Sequence, residues 1–307
     1  MPTTANEKIS IAMTTYNGER YLRQQMDSLL AQTLPFDELV VFDDASTDST
    51  VEILQTFAKN DPRIKIEINK KNRGFRLNFE NAIARCEGDL IALCDQDDIW
   101  LPDHLEILSN NIGDAWLIAG GSILTNAAGK SLNIRLTDVK NFKMVNPVQE
   151  DIFYFLMYYQ NPFQGASMMM RKEFFGKAVL PIPDAVKYHD VWFVHVALLL
   201  GKFKYVEHPV TLYRLHGNNT SGQHKQTSRL RTLAGHFIRK TLDTNRSEIA
   251  SELLRRKEYF PETQKEEAGN LVNDALRYYT HRDLPARLSN LYFELKHYNQ
   301  IYGRKKR

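Results

Sequence analysis

The stretch "LIALCDQDDIW", residues 90–100, joins an apolar run directly to a cluster of acidic side chains. Its first half has the composition of a buried strand. Three carboxylates then follow closely, at Asp95, Asp97 and Asp98. Because like charges at short range repel and raise one another's pKa, such a cluster is unfavourable unless something neutralises it. The sequence therefore predicts a ligand at the end of this strand, and a divalent cation is the natural partner for clustered carboxylates.

Strand-like and helical segments alternate through the first third of the chain. Short β-rich runs lie at 8–13, 38–44, 63–69 and 89–95. Between them, apolar residues recur at helical spacing, at 16–33, 49–60 and 75–88. Ser49 and Glu52 match a capping box at the start of the second helix. The alternation is typical of an α/β fold, with parallel strands and helices on both faces of the sheet.

The pattern is looser in the rest of the chain. It predicts, in order, a helix at 101–111, a strand at 115–124, a loop-rich aromatic region at 125–163, a strand turning into a helix at 164–175, an apolar helix at 189–201, a strand pair at 203–219, and helices beyond about residue 225. The run from Met168 to Met170 is interpreted as core, since methionine fills irregular apolar space well.

Polar residues collect where the predicted strands end. Thr15, Tyr16 and Asn17 follow the first strand, and Asp43 and Asp44 follow the second. Ligands of open α/β sheets bind outside the carboxyl ends of the strands. An acid in that place can accept hydrogen bonds from a nucleobase or a ribose. For Asp43 and Asp44 the structural alternative is helix capping. For Asp95, Asp97 and Asp98 the alternatives are a turn formed by Asp and a calcium loop, whose glycine and distal Glu are missing here.

Two further motifs carry no function when each is taken alone. Asp190 follows His189 at the start of the apolar helix, where an Asp is favoured by the helix dipole and can cap the helix. We expect the helix N-terminus to hold Asp190 ionised and to lower its basicity. His216, in "YRLHGNN", fits an ordinary loop histidine.

Composition and charge fit a globular protein of one large or two modest domains. Of the 307 residues, 43% are hydrophobic and 25% charged. Residues 225–307 hold 18 basic and 10 acidic residues, a net charge of +8, whereas the rest of the chain has a net charge of −5. A basic tail on an acidic body predicts contact with something anionic, and a solvated helical face is the alternative. Cys86 and Cys94 form no zinc or disulfide pattern.

The sequence also predicts where the protein works. The N-terminus lacks the pattern of a signal peptide, and no apolar run reaches the ~18–20 residues that span a bilayer. We therefore expect a reducing, cytoplasmic location.

Taken jointly and in order, the motifs resemble the family 2 glycosyltransferases, which are inverting enzymes with the GT-A fold. The resemblance covers roughly residues 8–220. It rests on "ISIAMTTYNGERYLRQQMDSLLAQT", "LVVFDDASTDSTVEIL", "NRGFRLNFENAI", "LIALCDQDDIWLP", "GASMMMR", "HDVWF" and "YRLHGNN". The motifs "CDQDDIWLP", "HDVWF" and "YRLHGNN" resemble most the bacterial branch often labelled rhamnosyltransferase-like. Thr14 departs from the proline that many members have there.

The resemblance implies a fold and a domain division. The fold is a Rossmann-like mixed sheet with helices on both faces. Residues 1–224 form the GT-A domain, with a nucleotide-binding half at 1–111 and an acceptor-binding half at 112–224. Residues 225–307 form a basic, helical C-terminal extension that matches nothing recognisable.

The resemblance also implies roles for individual residues. Those that match the nucleotide-sugar site are Thr15, Tyr16, Asn17, Asp43, Asp44, Asp95 and Asp97. Asp97 and His216 match the metal site, which would hold Mn²⁺ or Mg²⁺. Asp190 matches the catalytic base.

The implied reaction moves a sugar from a nucleotide-diphosphate donor, dTDP-rhamnose or a UDP-hexose, to a hydroxyl of a glycan or lipid-linked saccharide, in the synthesis of a cell-surface polysaccharide. A peripheral membrane contact through residues 225–307 is expected, and homo-oligomer formation is the competing use of those helices. No nucleic-acid partner is expected. The alternatives are a non-catalytic sugar-nucleotide scaffold and a nucleotidyltransferase, and the latter lacks its glycine- and arginine-rich loop in "TTYNGERY".

Overall fold

The computed structural model describes residues 7–144, 146–176, 179–217 and 244–280, together with positions 292, 295 and 296. Over these residues it contains one nine-stranded sheet. The strands are β1 (Ile9–Thr15), β2 (Glu38–Asp43), β3 (Ile64–Ile68), β4 (Leu90–Cys94), β5 (Ile99–Trp100), β6 (Leu117–Thr125), β7 (Ser131–Arg135), β8 (Met168–Arg171) and β9 (Phe203–Arg214). Their order is β3-β2-β1-β4-β8-β6-β9-β5, with β7 beside β6.

The direction of the strands changes across the sheet. β1, β2, β3 and β4 run parallel, whereas β8 runs antiparallel to both β4 and β6. β1 lies between β2 and β4, so the strand order reverses beside its carboxyl end. That place is where an α/β sheet leaves a crevice for a ligand.

Helices cover both faces of the sheet. They are α1 (Glu19–Leu30), α2 (Thr50–Asn60), α3 (Phe75–Arg85), α4 (His104–Ile112), the single turn α5 (Leu136–Val139), α6 (Gln149–Tyr158), α7 (His189–Leu199), α8 (Thr244–Arg256) and α9 (Glu262–Thr280). One hydrophobic cluster packs α1, α2 and α4 against one face. The other packs α3, α6 and α7 against the opposite face. The mixed sheet covered on both sides confirms the predicted fold class.

The prediction of a loop-rich region at 125–163 was wrong. It holds the β7 strand, the α5 turn and the helix α6. Eight of the ten residues of α6 are buried, so the helix is apolar on nearly every side. A helix buried all round shows no amphipathic period, and this is why its sequence did not read as helical.

Three smaller predictions also failed. Residues 203–214 form one strand, not two, because β9 pairs with β6 along most of its length. β8 ends in a 3₁₀ turn, Lys172–Phe174, and not in a helix. The predicted capping box is absent, since the Ser49 side chain caps nothing. Asp48 accepts the Thr50 N–H at 3.0 Å in its place.

The helices α8 and α9 share the core of the body. Their buried residues, among them Leu253, Val272 and Ala275, belong to the same cluster as α6 and α7. Arg246 on α8 donates to the carbonyls of Met157 and Tyr159 at the end of α6. The two helices are therefore packed against α6 and α7, while residues 218–243 and most of 281–307 lie outside the described residues.

Candidate active site

A cleft of about 810 Å³ opens where the sequence placed a ligand. Its walls come from the carboxyl ends of β1, β2 and β4, the start of α3, the start of α7 and the residues after β9. The predicted site residues that line it are Thr15, Tyr16, Asn17, Asp44, Asp95, Asp97, Asp190 and His216. Residues separated by up to 200 positions in sequence thus meet around one space.

Asp43 is the predicted site residue that lies behind the cleft wall. Its side chain is fully buried. The carboxylate accepts the Thr15 hydroxyl at 2.8 Å and the Ser46 N–H and hydroxyl at 2.8 and 2.6 Å. Successive side chains of a strand point to opposite sides, so Asp43 and Asp44 face different ways. Asp43 ties the end of β1 to the turn after β2.

Asp44 shapes the neighbouring loop. It accepts the Asn69 side-chain amide at 2.9 Å and the N–H groups of Arg73 and Gly74, each at 2.8 Å. Gly74 has a positive φ of 85°, a conformation in which only glycine is unstrained. The acid therefore fixes the loop that leads into α3, and its remaining surface faces the cleft.

Gln96, between Asp95 and Asp97, makes two hydrogen bonds to the backbone of Tyr16. Its Oε1 accepts the Tyr16 N–H at 2.8 Å, and its Nε2 donates to the Tyr16 carbonyl at 3.0 Å. A Cβ at Gly18 would lie 2.3 Å from Gln96 Oε1, so only glycine leaves room for this contact. The Tyr16 ring is 47% exposed at the mouth of the cleft. The Gln96 amide thereby joins the residues that follow β1 to the acidic residues that follow β4.

The acids after β4 differ in environment. Burial, together with the charges of Asp97 and Asp190, raises the pKa of Asp95 to about 8. Burial beside Asp97 and Asp95 also raises the pKa of Asp98 well above its ordinary value. The raised pKa values mean that this part of the site disfavours further negative charge beside Asp97 unless a cation is bound.

Asp98 is engaged in a buried network that the sequence did not reveal. Its two oxygens accept the Arg214 N–H, at 3.0 Å, and the Gln164 side-chain amide. The Arg214 guanidinium is itself buried, donates to the carbonyl of Asp97 at 2.7 Å and lies 4.7 Å over the ring of Tyr21. This network fixes the acid loop against β9. The sequence signal that could have indicated this network is Arg214 itself, an arginine at the end of a predicted strand.

Asp97 and His216 meet directly. His216 Nε2 lies 2.8 Å from Asp97 Oδ2, and its ring contacts that of Tyr21 in a tilted arrangement, with 4.7 Å between centroids. Among the described residues, no three metal-ligating side chains are grouped closely enough to hold an ion by themselves. The pair nevertheless suits a cation that takes its other ligands from a diphosphate and water, since carboxylate oxygen and imidazole both bind Mn²⁺ and carboxylate oxygen binds Mg²⁺.

Asp190 lies in the first turn of α7, on the wall of the cleft. Its Oδ1 accepts the Val191 N–H at 2.8 Å, and its Oδ2 accepts the side-chain amide of Asn161 at 3.2 Å. Burial raises the pKa of the carboxyl to about 6. We expected the helix N-terminus to lower the basicity of Asp190. This was wrong, because desolvation raises the pKa by more than the hydrogen bonds at the start of the helix lower it.

His189 is a neutral packing residue beside Asp190. Burial lowers its pKa to about 3, and its ring lies 4.0 Å from that of Phe79 between centroids. Neither ring nitrogen has a hydrogen-bond partner within the described parts of the chain. A Cβ at Gly165 would lie 2.9 Å from His189 Nε2, so the glycine allows the close approach. The imidazole is therefore not a proton donor at neutral pH.

This fold and its acidic cleft at the reversal of strand order define the GT-A class of glycosyltransferases. The sequence profile described as "Glycosyl transferase family 2" matches residues 10–177. The chain belongs to this family.

Individual relatives agree with that assignment. An uncharacterized glycosyltransferase of Haemophilus influenzae is 30% identical over 216 residues, which are 69% of this chain and 67% of that protein. TuaG of Bacillus subtilis, provisionally named a teichuronic acid biosynthesis glycosyltransferase, is 36% identical over 98 residues, 32% of this chain and 39% of TuaG. The chain spans about two thirds of the length of the first relatives it matches.

Solved structures share the fold at low sequence identity. TarS residues 1–349 of S. aureus, in complex with UDP-GlcNAc, gives a TM-score of 0.57 at 18% identity and covers 96% of this chain and 81% of that chain. The mannosyltransferase PcManGT of Pyrobaculum calidifontis, in complex with GDP-Man and Mn²⁺, gives a TM-score of 0.51 at 17% identity, covering 99% and 85%.

None of the helices in the described ranges is long and apolar enough to cross a membrane.

Proposed function

We propose that the protein is an inverting glycosyltransferase that moves a sugar from a nucleoside-diphosphate donor to a hydroxyl group of a saccharide acceptor, with Asp190 as the general base. One observation carries the proposal. Asp190, with a pKa of about 6, faces the same cleft as Asp95 and Asp97. A base works best when its pKa is close to the operating pH, since it is then ionised and still able to take a proton.

The reaction is a single displacement. The acceptor hydroxyl gives its proton to a carboxylate oxygen of Asp190 as its oxygen forms a bond to the anomeric carbon. The bond from that carbon to the phosphate oxygen breaks, and the electron pair leaves with the nucleoside diphosphate from the opposite face. No covalent enzyme intermediate is needed, and the anomeric configuration inverts.

The donor is held along the cleft in two parts. Thr15, Tyr16, Asn17 and Asp44 lie at the end assigned to the nucleoside, and Asp43 supports them from behind through Thr15 and Ser46. Asp95, at the other end, would lie near the ribose, as the resemblance to the family implies. Clustered carboxyl groups there favour a donor that enters with a cation.

Asp97 and His216 would hold that cation, Mn²⁺ or Mg²⁺. A bound divalent ion offsets the negative charge that builds on a departing diphosphate. The chain's own contribution is to keep the two side chains together at 2.8 Å and to fix the acid loop through Arg214. PcManGT, which shares the fold, binds Mn²⁺ together with GDP-Man.

We assign the acceptor to a cell-surface polysaccharide or its lipid-linked precursor, and the donor to dTDP-rhamnose or a UDP-hexose. The naming of TuaG for teichuronic acid biosynthesis supports the acceptor class. The complex of TarS with UDP-GlcNAc supports a uridine nucleotide as one donor to test first.

A donor panel tests this function. dTDP-rhamnose, UDP-GlcNAc, UDP-glucose and GDP-mannose are each added with Mn²⁺, and thermal stability and release of nucleoside diphosphate are measured. One donor should raise the free energy of unfolding by about 2.7 kcal/mol at 100 times its dissociation constant, and should release its diphosphate unless EDTA is present. Binding without release, under any acceptor mixture, would support a non-catalytic scaffold. Full release in EDTA would contradict the metal role.

A further inference from the structure

The loop after α6 joins three elements around Asp190. Gln160 donates its side-chain amide to the carbonyl of Lys140, the residue after α5, at 3.1 Å. Asn161, the next residue, donates to Asp190 on α7 at 3.2 Å. Arg246 of α8 holds the carbonyls just before this pair, including that of Met157 at 2.7 Å. The loop is therefore fixed from both sides and not free to move away from the base.

The orientation of the Asn161 amide is set by its own oxygen. Oδ1 accepts the N–H of Phe163 at 3.0 Å, and an N–H can only donate. The amide nitrogen must then be the atom that points toward Asp190 Oδ2. The orientation of a side-chain amide is assigned from its hydrogen-bond network. Here the bond from Phe163 and the contact with Asp190, 29 residues away, require the same orientation.

The Asp190 carboxylate can accept further hydrogen bonds in addition to these contacts. Oδ1 accepts one hydrogen bond, from Val191, and Oδ2 accepts one, from Asn161. Each carboxylate oxygen can accept two. Counting the donors within the described parts of the chain, one acceptor position remains on each oxygen for a substrate hydroxyl, while the two protein donors hold the plane of the group.

Other charged and titratable groups face Asp190 from the surrounding elements. Lys140 beside α5 attracts the carboxylate, whereas Asp95 after β4 repels it. His189, on the same helix, is neutral and adds no charge. Asn161 is the uncharged partner in this set that contacts the carboxylate through a side chain.

We propose that Asn161 is a positioning residue for the catalytic base, holding the Asp190 carboxylate in the orientation that receives the acceptor proton. The proposal rests on the proposed role of Asp190. It follows the general arrangement in which a base is oriented by a third group. An Asn that only closed its loop would need the bond to Phe163 and not the one to α7.

Two substitutions distinguish a positioning role of Asn161 from a role in closing its own loop. Asn161→Asp keeps size and the bond to Phe163, but it replaces the donor with a like charge, which raises the pKa of a neighbouring acid. We expect the acidic limb of the pH profile of kcat to move upward by about one unit or more, since close carboxylates shift pKa values by such amounts. Asn161→Ser removes the contact without adding charge and should lower kcat by roughly tenfold through misorientation. KM for the donor should stay within about twofold in both, since neither variant touches the donor residues.

Asn60→Asp is the matched control, because it adds the same charge at an exposed position on α2. Its pH profile should be that of the wild type. A direct readout is the ¹³C titration of the Asp190 carboxyl carbon, assigned by its loss in Asp190→Asn. That pKa should rise in Asn161→Asp and remain unchanged in the control.

Specific results would overturn the inference. An unchanged Asp190 titration with kcat within about twofold in both variants makes Asn161 a loop residue only. Loss of the folded state in both variants also overturns it, since Asn161 would then be needed for folding. If instead Asp190→Asn turns over normally while the Asp190 titration still responds to Asn161, the contact is real and the role of Asp190 as base is what fails.

Discussion

Two opposing influences act on the carboxyl of Asp190. The start of α7 and the Val191 N–H favour the charged form, as expected for an acid in a first helical turn. Burial favours the neutral form more strongly and raises the pKa to about 6. The residue is thus a better base than an exposed Asp, at a cost in stability when it ionises.

This pKa predicts how turnover depends on pH. The active, ionised form of Asp190 is lost as the pH falls through about 6. We expect kcat at saturating donor to rise about tenfold per unit below that pH and to level off above it. Because the folded pKa lies above the ordinary value, the contribution of this group to folding stability changes in the opposite sense and declines as the pH rises through about 6. A flat kcat from about pH 5 to 7 would contradict the assignment.

Substitution of Gln96 is expected to change donor affinity and not turnover. Gln96→Ala removes both hydrogen bonds to the Tyr16 backbone, each worth about 1 kcal/mol. Donor affinity, measured by calorimetry, should weaken by roughly tenfold, while kcat at saturation stays near the wild-type value. Gln55→Ala, an exposed amide on α2, is the control. A lowered kcat with unchanged affinity would show that Gln96 acts on the reaction and not on donor binding.

Individual residues also show which parts of the candidate site could be predicted from the sequence and which could not. The motifs placed eight of nine site residues in one cleft, because strand ends meet at one edge of a parallel sheet. Strand alternation could have shown that Asp43 and Asp44 face opposite sides. Asn161 and Gln96 could not be found this way, since their roles depend on loop conformations that carry no periodic pattern.

At the level of elements, prediction succeeded where burial is one-sided. α1 and α2 have apolar and polar faces, and their existence was predicted correctly. α6 is buried nearly all round, so its pattern was indistinguishable from an aromatic loop. β9 contains Pro209 and shifts register against β6 near Gly121, and these irregularities made one strand resemble two.

The contact between α8 and the end of α6 gives a prediction about stability. Arg246→Ala leaves the carbonyls of Met157 and Tyr159 without their charged donor. The free energy of unfolding in urea should fall by about 2 kcal/mol, as for other bonds to a charged group. Arg255→Ala on the same helix removes an arginine that is 77% exposed and should change it by less than ~0.5 kcal/mol. Equal losses in the two variants would contradict the assigned contact.

At the scale of the whole molecule, the basic tail (residues 225–307) combines core packing with positive charge, and the sequence alone did not separate these two properties. α8 and α9 contribute to the common core, so deleting residues 225–307 would expose apolar surface on α6 and α7. The positive charge of the tail lies largely elsewhere, in segments such as 304–307 that are outside the described residues. A test of membrane contact must therefore change charge without removing the helices.

Neutralising Arg304, Lys305, Lys306 and Arg307 to Gln provides that test. If the tail contacts an anionic membrane, each basic residue near the surface contributes about 1 kcal/mol. Sedimentation with vesicles containing phosphatidylserine should fall strongly in the variant and, for the wild type, with added salt. Equal sedimentation of the wild type with neutral and anionic vesicles would remove the membrane role and leave oligomer formation or a solvated helical face as the alternatives for this region.

The most direct test of the account is a paired measurement on Asp190→Asn, with Asn60→Asp as control. The substitution keeps the size of the side chain and removes the base. With the donor selected from the panel, turnover should fall by about 10²–10⁴-fold, the usual contribution of a general base. The dissociation constant of the donor, by calorimetry, should change by less than about threefold, because Tyr16, Asp44 and Asp95 remain in place. Turnover within a few-fold of the wild type would contradict the central claim and make Asp190 a helix-capping residue.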